Sequence, residues 1–107
     1  MQEISSKQLN DWINSKKALI VIDVRQPYET DQGIIPKANL IPLADIDSLD
    51  FSDQPIPTVI YCQAGVRSEK ACQILLKKFP DLNCFNLTGG IASWQCEGYQ
   101  LQIPTAL

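Results

Sequence analysis

Two short, uninterrupted apolar runs constrain the fold of this chain more than any other feature. Residues 18–22 read Ala-Leu-Ile-Val-Ile, and residues 58–61 read Thr-Val-Ile-Tyr. Runs this short are typical of strands that are covered on both faces. Cys84–Leu87 is a third candidate strand, and it ends before two consecutive glycines, Gly89 and Gly90. The chain is therefore predicted to build a sheet of buried strands.

Helical patterns lie between the predicted strands. Ser5 and Gln8 have the spacing of a capping box, which begins a short amphipathic helix. Residues 68–79 and 91–96 are predicted helices, and Pro80 stops the longer one. Residues 27–57 hold five of the seven prolines and should form turns, short helices and edge pieces. Alternating strands and helices predict an α/β fold, with a central, mainly parallel sheet flanked by helices on both faces. The length of 107 residues fits a single domain over residues 1–107. The apolar tail, residues 101–107, is expected to pack back on this domain or to meet a partner.

The charge pattern excludes two classes of partner. The net charge is −3, and the nine Lys and Arg residues are scattered along the chain. A nucleic-acid or membrane surface needs clustered basic residues, so neither kind of partner is expected.

The first ten residues are polar and lack the apolar core of a secretory signal. No apolar run approaches the roughly 20 residues that span a bilayer. We therefore expect a cytoplasmic protein.

Cysteine is the residue type best suited to act as a nucleophile in this chain. The chain has no histidine, so the usual general base is missing, whereas a thiol can be activated simply by lowering its pKa. Wide cysteine spacing and a reducing compartment argue against disulfides, and no metal or other cofactor is expected. Core packing is the default role for three of the cysteines, with Cys72 the best candidate for a resolving thiol. The four cysteines are Cys62, Cys72, Cys84 and Cys96.

Cys62 is the cysteine with a predicted catalytic role. It lies at the carboxyl end of a predicted buried strand, where α/β proteins bind their ligands. The loop after it contains no carboxylate and no proline, so its N–H groups can face an anion, and Gly65 permits a positive φ. A helix N-terminus near Ser68 and the cation of Arg67 should lower the thiol pKa. A cysteine at a strand end can instead be simple core filling. The predicted site has Cys62 as nucleophile and, as substrate-binding residues, Gln63, Ala64, Gly65, Val66, Arg67 and Ser68.

Four segments, in order, resemble the rhodanese domain family, and the resemblance covers nearly the whole chain. Residues 23–29 resemble its D-V-R-x-x-x-E motif, and residues 33–42 resemble G-H-I-P-G-A-x-N-I-P. Residues 62–68 resemble the C-x-x-G-x-R-S active loop, and residues 87–94 resemble L-x-G-G-x-x-x-W. Ile34 stands where the family usually has histidine and Lys37 where it has glycine, which should alter local packing rather than remove activity.

The resemblance implies a rhodanese-like fold and a thiosulfate sulfurtransferase. Cys62 would take the outer sulfur of thiosulfate or a related donor, carry it as a persulfide, and pass it to a thiophilic acceptor. A thiol or a sulfur-carrier protein would be that acceptor, and no cofactor is implied. Asp23, Arg25 and Glu29 would support the site; Glu29 is close enough in sequence to pair with Arg25, in an ion pair that fixes the turn.

Two alternatives remain at this point. Rhodanese-like phosphatases and arsenate reductases share the architecture, but their loop is one residue longer than the four residues that separate Cys62 from Arg67 here. The shorter loop favours attack on a protruding sulfur. The second alternative is a non-catalytic or partner-dedicated sulfur-relay module. Non-catalytic modules commonly lose the loop cysteine, which this chain keeps, so the relay is the stronger form of that alternative.

Overall fold

The computed structural model describes residues 1–104 of the chain. Residues 105–107, the end of the predicted domain and of its apolar tail, lie outside the described part. The elements, in chain order, are β1 (Gln2–Ile4), α1 (Ser6–Asn14), β2 (Ile20–Asp23), α2 (Pro27–Thr30), β3 (Ala38–Leu40), a 3-10 helix (Leu43–Ser48), β4 (Thr58–Tyr61), α3 (Val66–Lys78), β5 (Cys84–Leu87) and α4 (Gly90–Cys96).

The five strands form one sheet in the order β1-β5-β4-β2-β3. Every neighbouring pair is parallel, with Asp23 opposite Tyr61 in the central pair β2–β4. All four residues of β4 are buried, as expected for a central strand covered on both faces. The α/β class and the parallel sheet predicted from the apolar runs are confirmed.

Helices cover both faces of the sheet, as predicted. Successive residues of a strand point to opposite faces, and Val21 and Ile22 accordingly belong to different core clusters. Ile22 packs with Leu75 of α3, on the face that the 3-10 helix also covers. Val21 packs with Leu9 of α1 and Trp94 of α4. Trp94 is 1% exposed, so it is part of the core.

The edge strands and two boundaries differ from the prediction. The strand β1 was not predicted, and β3 lies in residues 27–57, where edge pieces were expected without bounds. Each has three residues, and the two together contain one buried residue, Ile4. The helix expected from residue 68 begins at Val66, since Gly65 has a φ of 108° and turns the chain into α3 earlier. The strand predicted over residues 18–22 is shifted to Ile20–Asp23.

The two departures from the family motif lie in the segment between α2 and β3. Lys37 has a φ of 74°, the left-handed conformation that explains why glycine is usual at this position. Ile34 is buried and exchanges two backbone hydrogen bonds of 2.8 Å with Gln102. That bridge ties the start of the C-terminal tail to the domain, so the tail packs back at least as far as Gln102. Within residues 1–104, no helix combines the length and the apolar character needed to cross a membrane.

Candidate active site

The candidate site lies at the carboxyl edge of the sheet, where β2, β4 and β5 end. Asp23 is the last residue of β2, Cys62 follows β4 directly, and Gly89 lies between β5 and α4, which begins at Gly90. Parallel strands bring these termini to one edge, so three of the four family-like segments converge there.

The sulfur of Cys62 is held by N–H groups of the loop that follows it. The Gly65 N–H donates to Cys62 Sγ at 3.1 Å, and the Ser68 N–H donates to it at 3.4 Å. The Ser68 hydroxyl oxygen also lies 3.4 Å from Sγ. Burial opposes ionisation of the thiol, but hydrogen bonds from Ser68, Gly65 and Ala64 outweigh it and lower the pKa of Cys62. A lowered pKa is what the nucleophilic role of Cys62 requires, and that role stays a prediction.

The predicted binding residues divide into two groups. Gly65 and Ser68 are buried beneath the sulfur, whereas the side chains of Gln63, Ala64 and Val66 are exposed. Because α3 begins at Val66, the last three predicted residues (Val66, Arg67 and Ser68) are the first turn of a helix rather than loop. The helix N-terminus consequently points at Cys62 and adds its partial positive charge.

The loop is fastened to α4 by its backbone. The Ile91 N–H donates to the Cys62 carbonyl at 2.9 Å, and the Ala92 N–H donates to the Gln63 carbonyl at 3.0 Å. Gly90 makes this approach possible, since its φ is 60° and a Cβ there would lie 2.5 Å from the Gln63 oxygen. The turn at Gly89 and Gly90 therefore holds the active loop in place.

Glu29 pairs with Arg67, and the expected pairing of Glu29 with Arg25 is wrong. The two carboxylate oxygens of Glu29 accept from the two terminal nitrogens of Arg67 at 2.7 and 2.8 Å. This bidentate contact, opposed by partial burial, lowers the pKa of Glu29 to about 2. Glu29 is held away from Arg25 because its side chain also caps the Gln26 N–H at the start of α2. Arg67 is thus an ion-paired cation, not a free one.

Arg25 instead forms a buried pair with Asp23. Arg25 Nη2 donates to Asp23 Oδ2 at 2.8 Å and to the Gly33 carbonyl at 2.8 Å. Asp23 is 0% exposed and Arg25 is 4% exposed. Burial disfavours the charged guanidinium, but the hydrogen bond and charge of Asp23 raise the pKa of Arg25 overall. The pair fixes the turn after β2, with Asp23 replacing Glu29 as the partner of Arg25. That the two residues support the site stays a prediction.

Sequence reasoning missed one site residue, Asn86. It is 4% exposed in β5, and its side chain contacts Ser68 and the Gly65 carbonyl. The sequence does carry a signal for it, since Asn86 is a polar amide within an otherwise apolar strand, Cys-Phe-Asn-Leu. A buried polar group needs hydrogen-bond partners, so such a residue at a strand end indicates a polar network nearby.

A cleft of about 400 Å³ opens beside the loop. Gln63 borders it from the loop, Glu29 from α2, and Ile91 from α4. Tyr28, which also lines the cleft, is 74% exposed, and Val66, the first residue of α3, is 77% exposed. Each of these two apolar side chains is the sequence neighbour of one member of the Glu29–Arg67 pair, so apolar surface flanks the site.

The four thiols have different surroundings, which predicts different reactivities. Cys72 Sγ and Cys84 Sγ are 3.3 Å apart in the core and form a hydrogen bond, not a disulfide. That hydrogen bond, together with burial, raises the pKa of Cys72. Cys96 is exposed. At about pH 6, we expect iodoacetamide to modify Cys62 before Cys96, because hydrogen bonds to Sγ lower the pKa of Cys62. Cys72 and Cys84 should react only after unfolding.

Peptide mapping by mass spectrometry checks this order of modification. The same reaction in denaturant is the control, since all four thiols should then react alike. Modification of Cys72 or Cys84 in the folded protein, or of Cys96 ahead of Cys62, would contradict the prediction.

Comparison with known proteins identifies the family. The Rhodanese-like domain family matches residues 5–97. A protein named Sulfurtransferase from Allochromatium vinosum is 33% identical over 106 residues, covering 97% of each chain. A rhodanese-like domain protein from Staphylococcus aureus superposes with a TM-score of 0.82 at 33% identity, over 98% of this chain and 100% of that one.

A longer relative is named Probable adenylyltransferase/sulfurtransferase MoeZ, from Mycobacterium tuberculosis. It is 39% identical over 94 residues, which are 85% of this chain but 24% of that protein. The chain therefore spans about a quarter of this relative. Family match, fold and loop geometry agree, and the chain belongs to the rhodanese-like domain family.

Proposed function

We propose that this protein is a sulfurtransferase that moves sulfane sulfur from thiosulfate or a related donor to a thiophilic acceptor. The observation that carries the proposal is the cradle around Cys62, in which Gly65 and Ser68 N–H groups converge on Sγ. Relatives with the names Sulfurtransferase and adenylyltransferase/sulfurtransferase support the class of reaction. The cytoplasm is the proposed location.

The cradle suits a double displacement. The Cys62 thiolate attacks the outer sulfur of thiosulfate and forms a new S–S bond, while the donor's own S–S bond breaks and sulfite leaves with the electron pair. Cys62 then carries a persulfide, whose terminal charge the loop N–H groups stabilise. A nucleophilic acceptor attacks the terminal sulfur and returns Cys62 to the thiolate.

Arg67 has a double role in this proposal. Two of its N–H groups hold Glu29, and a guanidinium has five N–H donors, so others stay available for the oxygens of an anionic donor. Glu29 keeps the planar group in place, and the buried Asp23–Arg25 pair keeps the neighbouring turn rigid. Glu29, Asp23 and Arg25 are therefore positioning residues, whereas Arg67 contacts the donor.

A sulfur relay to a dedicated protein is the second candidate. The exposed side chains of Tyr28 and Val66 beside the loop favour it, because exposed apolar groups around a site fit contact with another protein. In this version the acceptor is a thiol or a sulfur-carrier protein rather than a small molecule.

The reaction class is tested by two assays on the same preparation. With thiosulfate and cyanide we expect thiocyanate and sulfite in equal amounts; with an aryl phosphate ester we expect no release of phosphate. Phosphate release without sulfur transfer would make the protein a phosphatase. Repeating the first assay with a small thiol in place of cyanide, and then with a sulfur-carrier protein, separates the two candidate roles by the acceptor used fastest.

A further inference from the structure

Asn86 is fixed in one orientation beneath the active loop. Its Nδ2 lies 3.3 Å from the Gly65 carbonyl and 3.3 Å from Glu3 Oε2. The carbonyl can only accept hydrogen bonds, so the amide nitrogen must face it. Asn86 Oδ1 is then the atom that faces Ser68, and the Ser68 hydroxyl donates to it at 2.5 Å.

The Ser68 hydroxyl has one proton and two partners. It is fully buried, with Asn86 Oδ1 on one side and Cys62 Sγ at 3.4 Å on the other. While the proton points to Asn86, Ser68 Oγ can only accept, and the S–H of Cys62 supplies the bond. All three groups are satisfied as long as Cys62 is a thiol.

Ionisation of Cys62 breaks that arrangement. No proton then lies between the thiolate and Ser68 Oγ, so two electron-rich atoms would face each other. The hydroxyl can turn its proton to the thiolate, but Asn86 Oδ1 then loses its donor in a buried place. The thiolate and Asn86 compete for the same proton.

We propose that Asn86 is a positioning residue that makes the Ser68 hydroxyl a hydrogen-bond switch, pointing to Cys62 in the thiolate and back to Asn86 in the thiol and the persulfide. The last state rests on the proposed function: in a persulfide the charge moves to the terminal sulfur, and Sγ no longer needs a donor. Asn86 therefore favours sulfur loading, because its bond to Ser68 is restored when Sγ gives up its charge. It also keeps the thiolate more basic and hence a stronger nucleophile.

The charged groups around Cys62 do not compete for the Ser68 proton. Arg67 from α3 is held by Glu29 from α2, and the buried Asp23–Arg25 pair at the end of β2 is self-compensating. Glu3 from β1 contacts Asn86 Nδ2, on the side of the amide away from Ser68. All these groups are retained in the variants below.

The test is the rate of alkylation of Cys62 by iodoacetamide between about pH 5 and about pH 9, in a Cys96→Ser background. Asn86→Leu removes the competing acceptor, and we expect the apparent pKa of Cys62 to fall by roughly half to one unit. Asn86→Asp keeps an acceptor and makes it stronger, so the pKa should rise. Ser68→Ala should also raise it, and Ser68→Ala/Asn86→Leu should match Ser68→Ala because Asn86 acts through Ser68.

A purely structural role for Asn86 predicts another pattern. Loss of its bond to the Gly65 carbonyl would loosen the loop in both Asn86 variants and raise the pKa in both, and the effects of Ser68→Ala and Asn86→Leu would add. Either result overturns the proposal. If Asn86→Leu does not fold by circular dichroism, Asn86→Val replaces it with the same expectation. Alkylation needs no sulfur donor, so a chain with the expected pKa pattern that takes up no sulfur would refute the proposed function alone.

Discussion

Replacement of Cys62 by serine is expected to abolish sulfur transfer, with turnover of thiosulfate and cyanide falling by at least about 10³-fold. A serine hydroxyl is far harder to ionise than a thiol, and hydrogen bonds from the cradle lower the pKa of Cys62 further. An oxygen at this position also cannot form the S–S bond on which the reaction depends. The measurement is initial rate of thiocyanate formation at matched protein concentration.

Cys96→Ser is the matched control for this variant. It makes the same chemical change at an exposed thiol at the end of α4, outside the cradle, so its turnover should equal that of the unmodified protein. Turnover retained in Cys62→Ser, or lost in Cys96→Ser, would assign the sulfur to another thiol.

Gly90→Ala is expected to destabilise the fold by about 2–5 kcal/mol. The added Cβ would lie 2.5 Å from the Gln63 carbonyl oxygen and 2.6 Å from the Cys62 carbonyl oxygen, and both are backbone atoms that cannot move aside cheaply. The φ of 60° adds the cost of a left-handed alanine. Thermal unfolding should show a Tm lower by about 10 °C or more. Turnover should fall as well, since the clash displaces the first residues of the active loop.

Gly98→Ala separates the clash from the backbone cost. Gly98 also has a positive φ, 79°, but a Cβ there would meet nothing within 4 Å. Its destabilisation should be limited to about 1–2 kcal/mol, with turnover unchanged. Equal Tm values for the two variants would show that the contact between Gly90 and the loop contributes little.

The central part of the fold could be predicted because its signal is local. The runs in β2 and β4 are apolar apart from Asp23 at the end of β2 and Thr58 at the start of β4, and α3 has helical periodicity up to its end near Pro80. The strands β1 and β3 could not be predicted in the same way. They are short edge strands that exist because the sheet offers them a partner, which is a tertiary effect rather than a local preference.

The same distinction separates the predicted from the unpredicted parts of the site. Cys62, Gly65 and Ser68 lie within seven consecutive residues, so the loop around the sulfur could be inferred from its composition. The partner of Glu29 could not, because Arg67 is 38 residues away and Arg25 is four. Proximity in sequence favoured Arg25, but its guanidinium was already occupied by Asp23.

If Cys62 carries sulfur as a covalent intermediate, intact mass measurement after incubation with thiosulfate should detect that intermediate itself. We expect the unmodified protein to gain the mass of one sulfur atom, to lose it again on addition of cyanide, and to show the added sulfur on the peptide that contains Cys62. Cys62→Ser should gain nothing. If the unmodified protein took up no sulfur from thiosulfate or from a small-molecule persulfide, or if Cys62→Ser took up an equal amount, Cys62 would not be the sulfur carrier.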